Sequence, residues 1–218
     1  MLASQQVIII IIPKPGKPDY SLPKAYRLIS LLECVGKLLE KIVASRILHN
    51  NLAYGLIPST QFGSHDYSCA VDGVISLTHN IELTLHSRNM GALILFDIQG
   101  FFDNLNPSCL LHIFTLLGFP LGLCHWLSSF LSTQSFSFWF NGMSSDPLDH
   151  DYGTAQGSPL SPIISAVYTT PLLQKVQMWI HKSLSLFVDN GSIYATNTSI
   201  RSVRSEERRV RERVLVAV

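Results

Sequence analysis

The sequence predicts an α+β fold, and three observations carry that prediction. Short runs rich in β-branched or aromatic residues, bounded by Gly, Pro and Asn, alternate irregularly with longer stretches whose apolar residues recur three and four apart. Hydrophobic residues make up 47% of the 218 residues and charged residues 14%, a core-rich composition that excludes a disordered chain. Taken in order the elements read β-α-α-β-α-α-β-α-β-β, which is neither a strict βαβ series nor a helical bundle. No internal repeat is present.

Each element has a local reason. "VIIIII", Val7 to Ile12, reads as a buried strand. It is far shorter than the roughly 20 residues of a membrane span, and no basic segment precedes it, so it does not read as a signal peptide. "PKPGKPDYSLP" holds four prolines and a glycine and must be extended or looped. From Leu31 the positions Leu32, Val35, Leu38, Leu39, Ile42, Val43 and Ile47 follow helical spacing. Residues 66–87 predict a second helix through Val71, Val74, Ile75, Ile81 and Leu85. "GALILFDI", 91–98, is near-continuously apolar, the pattern of a strand buried on both faces. Asn106 caps a helix with Pro107 at its first position, and Gly118 ends it. "PLGLCHWLSSFLS" predicts a further helix, and "SFSFWFNG" a strand closing in an Asn-Gly turn. Residues 158–181 predict a helix opened by Ser158 and Pro159, with Pro162 and Pro171 bending or interrupting it. "SLSLFVDNGSIYAT", 183–196, predicts a hairpin.

Charge is unevenly placed. Residues 14–46 carry a local +4, residues 47–174 a local −7, and the whole chain +1. A basic end beside an acidic middle fits a phosphate-holding element next to a carboxylate metal site, and fits ordinary variation among few charges equally. Cys34, Cys69, Cys109 and Cys124 show no paired spacing, so free thiols and an intracellular location, nucleus or cytoplasm, are expected. His79 and His86 read as a solvated helix surface. In the tail, eight of the ten residues from Arg204 to Arg213 are charged. It reads as a disordered end, and "RSEERRV" resembles translated adapter sequence rather than native protein. The domain division is therefore residues 1–200 and a tail of 201–218 with no function placed on it.

Two acids stand out by position. Asp97 follows "ALILF" and Asp189 follows "LSLFV". An acid after a buried apolar run is costly unless something neutralises it, and two such acids at adjacent strand ends suit a pair of Mg2+ ions for phosphoryl transfer. "DNG" is also a strong hairpin-turn signal, and spacing alone leaves turn and metal site both open.

Three ordered segments resolve more. "LFDIQGFFDNL" (95–105), "GTAQGSPLSPIISAVY" (153–168) and "LFVDNGSIYA" (186–195) resemble, in order, the core palm motifs of reverse transcriptases. "IIPKPGKPDYSLPKAYRLISLLECVGKLLEKIVASRI" (11–47) and "IPSTQFGSHDYSCAVDGV" (57–74) resemble the fingers region of the non-LTR, long-interspersed-element retrotransposon group. The resemblance covers roughly residues 8–196. It implies a right-hand polymerase palm, an antiparallel sheet backed by helices, with partial fingers and the thumb absent. It implies an RNA-directed DNA polymerase taking an RNA template, a DNA primer and deoxynucleoside triphosphates, with Mg2+ or alternatively Mn2+, and no membrane.

Residue roles follow from the same resemblance. Asp97 and the Ile98 carbonyl, with Asp189, resemble the metal ligands, and Asn190 stands in the catalytic pair beside Asp189. Phe102 resembles the bulky residue that meets the sugar 2′-position, and core packing accounts for it as well. Gln156 and Gly157 resemble the loop touching the incoming nucleotide. Arg27 resembles the fingers arginine on the triphosphate, with Lys14 or Lys17 assisting. Asp103 reads as structural. The departures are Asn190 where a second acid is usual, Ala155 where proline is usual, and no basic residues in "GSHDYS". They leave a second reading, a catalytically inactive, decayed remnant that at most binds nucleic acid.

Overall fold

The computed structural model describes residues 5–64, 68–132, 134–140, 142–149, 153–155, 157–178, 182–199, 201–205 and 207–209. In chain order the elements are β1 (Gln5–Pro13), a 3-10 turn (Pro23–Ala25), β2 (Tyr26–Leu31), α1 (Cys34–Tyr54), α2 (Ala70–His86), β3 (Met90–Asp97), α3 (Pro107–Leu116) and α4 (Leu121–Ser132). There follow β4 (Gln134–Phe140), β5 (Met143–Ser144), β6 (Leu148–Asp149), α5 (Ser161–Tyr168), α6 (Thr170–Gln177), β7 (Lys182–Phe187) and β8 (Asn190–Asn197). Residues 201–205 and 207–209 are helical. The chain divides into two compact units, Met1–Asn50 with Gly100–Ile164, and Asn51–Gln99 with Ser165–Val218.

The first unit is built on a mixed sheet in the order β2-β1-β4-β5, with β6 also paired to β4. β1 runs antiparallel to β2, pairing Ile12 with Arg27 and Ile8 with Leu31, and parallel to β4. Val7 and Ile9 pack with Phe136 and Ala155 under this sheet. β2 corrects the sequence reading, which ran from a loop straight into a helix at Leu31. The isoleucine run of β1 needs a hydrogen-bonding partner on each side, and Tyr26–Leu31 supplies one. The helix therefore starts later, at Cys34. Its inward stripe also differs. Val35 and Leu38 are 79% and 61% exposed, whereas Glu40, Val43, Ala44 and Ile47 are buried. α3 starts as predicted: the Asn106 side chain accepts from the Cys109 N–H and Pro107 opens the first turn, a cap worth about 1 kcal/mol. Phe114 and Phe119 pack with ring centroids 4.6 Å apart.

The second unit holds an antiparallel sheet in the order β3-β8-β7. One face carries Leu184, Leu186 and Ile193, which pack against Leu173 and Val176 of α6, with Ile94 and Phe96 alongside. The opposite face looks toward α2. A cleft of about 400 Å³ there is lined by Gly73, Val74 and Leu77 of α2 and by Leu95, Phe187 and Asn190 of the sheet. β3 is therefore not buried on both faces, as its apolar run suggested. It is an edge strand, and α2 leaves Leu95 71% exposed. The predicted helix over 158–181 is two helices separated at Thr169. Pro171 lacks the N–H that would continue the ladder, while Pro162 sits harmlessly in the first turn of α5.

Among the described residues no helix is long and apolar enough to cross a membrane.

Candidate active site

The hairpin between β7 and β8 places the first candidate residues. Phe187 pairs with Asn190, so the connecting residues are Val188 and Asp189, two positions earlier than a turn on Asn190–Gly191. Val188 takes φ 60°, a left-handed conformation costly for a β-branched residue. The reason lies upstream. Thr60–Phe62 runs along the free edge of β7, with Phe62 N–H donating to the Leu186 carbonyl at 2.7 Å and Leu186 N–H to the Thr60 carbonyl at 2.9 Å. Gln61 is buried and ties this segment down: its Nε2 donates to Thr169 Oγ1 at 2.9 Å and its Oε1 accepts from the Gly63 N–H at 3.2 Å. A Cβ on Gly63 would lie 2.7 Å from the Val188 nitrogen. Only glycine lets the strap close over the turn.

Gly191 then serves β8 rather than the turn. A Cβ there would overlap the Phe96 ring at 2.1 Å, so the missing side chain is what lets β3 and β8 keep their register. That register sets Asp97 opposite Asn190, with the Ile98 N–H donating to the Asp189 carbonyl at 3.0 Å. Directly opposed residues share a face and have Cβ atoms about 4.5–5.5 Å apart. Asp97 and Asn190 are thus neighbours on the α2 side of the sheet, with Asp189 at the tip. The Asn190 Nδ2 donates to Asp189 Oδ1 at 2.9 Å, which holds that carboxylate and leaves the amide oxygen free.

The donors offered are two carboxylates, an amide oxygen and the Ile98 carbonyl. All are hard oxygens of the kind Mg2+ takes, and Mg2+ needs only one or two carboxylates when waters and substrate phosphates complete its shell. The residues fit a divalent cation. Among the described residues no group of three or more His, Cys, Asp or Glu could hold a metal, so the negative charge here is that of Asp97 and Asp189.

The remaining candidates lie in the first unit. Arg27 is exposed on β2. Lys14 Nζ donates to the Lys24 carbonyl at 3.1 Å, closing the proline-rich strap. Gly157 takes φ 116°, and a Cβ there would lie 3.1 Å from the Ser30 carbonyl, so its loop passes close to the strand that carries Arg27. Phe102 is half-buried, edge-on to Phe101 at 5.6 Å, and its carbonyl accepts from the Thr154 N–H at 2.8 Å. Asp103 is exposed. Gln156 lies outside the described residues.

Glu40 was missed by sequence reasoning. It is fully buried on α1, accepts a short hydrogen bond from Ser158 Oγ, and leaves its Oε1 without a partner. Ser158 Oγ in turn accepts from the Leu160 N–H at 3.0 Å. The signal was an acid three and four residues before Val43 and Ala44, on the stripe that turns inward. Burial raises its carboxyl above the ordinary 4.5, against lowering by the Ser158 bond and Lys37. The raised value means the proton is bound more tightly folded than unfolded. Glu40's contribution is then fully present below about pH 4.5 and lost as pH rises through the folded value. Urea denaturation across pH is expected to show stability falling over that window in the native chain and not in Glu40→Gln, which should be the more stable of the two at neutral pH. A parallel fall in both would refute this.

Residues 12–214 match the reverse transcriptase (RNA-dependent DNA polymerase) family. The chain is a member of the reverse transcriptase family. Its relatives are of the retrotransposon kind that its motifs resemble. It is 31% identical over 186 residues to the probable RNA-directed DNA polymerase from transposon X-element of Drosophila melanogaster, covering 84% of this chain and 20% of that protein. It is 32% identical over 164 residues to the corresponding transposon BS protein of the same species, covering 75% and 18%. The mobile element jockey polymerase of Drosophila funebris is 29% identical over 165 residues. This reverse transcriptase chain thus spans about one fifth of the length of the curated relatives it matches. Its fold is similar to that of telomerase from Candida tropicalis, solved with a fragment of telomeric RNA: TM-score 0.67 at 14% identity, over 94% of this chain and 38% of that one. The apo telomerase truncated from its C-terminal domain gives 0.64 at 14%. The fold is accordingly the α+β palm and partial fingers of a reverse transcriptase.

Proposed function

We propose that this chain is the palm-and-fingers part of an RNA-directed DNA polymerase that extends a DNA primer on an RNA template. The observation that carries the reading is the register that sets Asp97 beside the Asp189–Asn190 pair at the end of one sheet. Asp97, Asp189 and the Ile98 carbonyl would hold divalent metal, which supplies charge neutralisation for the attacking and leaving oxygens of nucleotidyl transfer. Arg27, assisted by Lys14, would grip the triphosphate with planar donors. Gln156 and Gly157 would meet the incoming nucleotide, and Phe102 would crowd a ribose 2′-hydroxyl. Primer extension on an RNA template with deoxynucleoside triphosphates tests the reading. No incorporation with Mg2+ or Mn2+, by the native chain or by Asn190→Asp, would overturn it.

One observation favours a weakened enzyme: the Asn190 amide engages Asp189 and brings no charge. Restoring a carboxylate adds an attraction worth about 1–4 kcal/mol to a cation 4 Å away. Asn190→Asp is therefore expected to raise Mg2+-dependent extension about tenfold or more. An unchanged rate would show that the amide does not limit activity.

A further inference from the structure

The first unit carries an aromatic cleft that none of the roles above uses. It encloses about 640 Å³ and is lined by Ile11, Pro13, Tyr20, Tyr26, Trp139 and Phe140, within the usual size of ligand sites. The rings form a chain: Tyr20 meets Tyr26 edge-on at 6.1 Å, and Tyr26 meets Phe140 edge-on at 6.3 Å. Their positions are fixed by the strap, since Tyr26 Oη donates to the Tyr20 carbonyl at 2.9 Å and Tyr20 Oη to the Lys14 carbonyl at 2.8 Å. Tyr20, Trp139 and Phe140 nevertheless remain 43%, 46% and 42% exposed. Among the described residues Tyr20, Tyr26 and Phe140 meet edge to edge, and such packing leaves ring area for a further stacking partner.

Charge selects among occupants. The same strap carries Lys14, Lys17 and Lys24. The acid in this segment, Asp19, is taken up by its own turn, accepting from the Ser21 N–H at 2.8 Å. Aromatic faces set beside cations are the recognition chemistry of single-stranded nucleic acid: bases stack on the rings and phosphates meet the lysines. A proline-rich peptide also docks on aromatic grooves but would not use the cations. We propose that this cleft is a stacking platform for unpaired bases of single-stranded RNA, resting on the template reading given under Proposed function.

The test is fluorescence anisotropy with a labelled oligouridine and with an abasic oligonucleotide of equal length. The native chain is expected to bind oligouridine roughly tenfold more tightly than the abasic strand. The double variant Tyr20→Ala/Trp139→Ala is expected to lose most of that difference, and Trp139→Phe to retain it, with circular dichroism checking that each is folded. Equal binding of the two strands by the native chain would overturn the proposal without the need of any variant. Oligouridine binding that is unchanged in the folded double variant, or competed away by a proline-rich peptide, would overturn it while leaving template binding intact. No RNA binding at all by the native chain would remove both this proposal and the template reading.

Discussion

RNA-templated primer extension is expected to fall at least about a thousandfold when Asp97 or Asp189 is replaced by asparagine. The proposed site would have two carboxylates with which to hold a doubly charged ion, Asp97 and Asp189, and the residue opposite Asp97 is the amide Asn190. Removing either leaves one formal charge, and metal-borne stabilisation of the transferring phosphoryl is worth several kcal/mol, or about 10³-fold in rate. The comparison is made in both the native and the Asn190→Asp backgrounds, measured as single-nucleotide incorporation with Mg2+. Asp97 is exposed and Asp189 only half-buried, and carboxylates open to solvent contribute little to stability, so both variants should unfold close to the urea concentration of their parent. Activity retained within tenfold in either variant would remove that carboxylate from the site.

Gly153→Ala is expected to be the most damaging of the small substitutions. Gly153 takes φ 83°, and a Cβ there would lie 2.7 Å from the Asp103 carbonyl oxygen and 2.8 Å from that of Phe102. These are backbone atoms, and they cannot swing away. They belong to a seam in which Gly153 N–H donates to Leu105 O and Thr154 N–H to Phe102 O, each at 2.8 Å. Left-handed strain costs about 1–2 kcal/mol for a side-chain-bearing residue, and overpacking against fixed neighbours about 1–3 kcal/mol more. The total is on the order of 3 kcal/mol. Gly118→Ala is the control, because Gly118 takes φ 80° with nothing within 4 Å of the added atom. It should lose only the strain, about 1–2 kcal/mol. Urea denaturation of the two variants giving equal losses would refute the clash argument.

The seam also shows what local pattern hides. "GTAQGSP" was legible as a motif, and Gly157 as a place of close backbone approach. That Gly153 exists to let the loop lie on Phe102 and Asp103 was not, because its neighbours lie about fifty residues away in the sequence. The same holds for Glu40. Its helix was legible from apolar spacing, but spacing counts apolar residues and passes over an acid whose partner, Ser158, is supplied by a distant loop. For Val35 and Leu38 the spacing gave the opposite error, since a helix with apolar residues on two sides does not say which side turns inward.

Sequence alone was sufficient for the α+β class, for most of the helices and strands, for the family, and for which residues to gather at the hairpin. Periodicity, turn chemistry and capping act over a few residues, and the motif order is read directly. Tertiary structure alone decided where the hairpin turns. The chain offers Asp189, Asn190 and Gly191 as ready turn residues, yet the turn forms on Val188 and Asp189. Gly191 is needed beneath the Phe96 ring, and the Thr60–Gly63 strap braces Val188 in a conformation it would not adopt unaided. Packing of distant segments outweighed a local preference of roughly 1–3 kcal/mol, and in doing so set Asn190 across from Asp97.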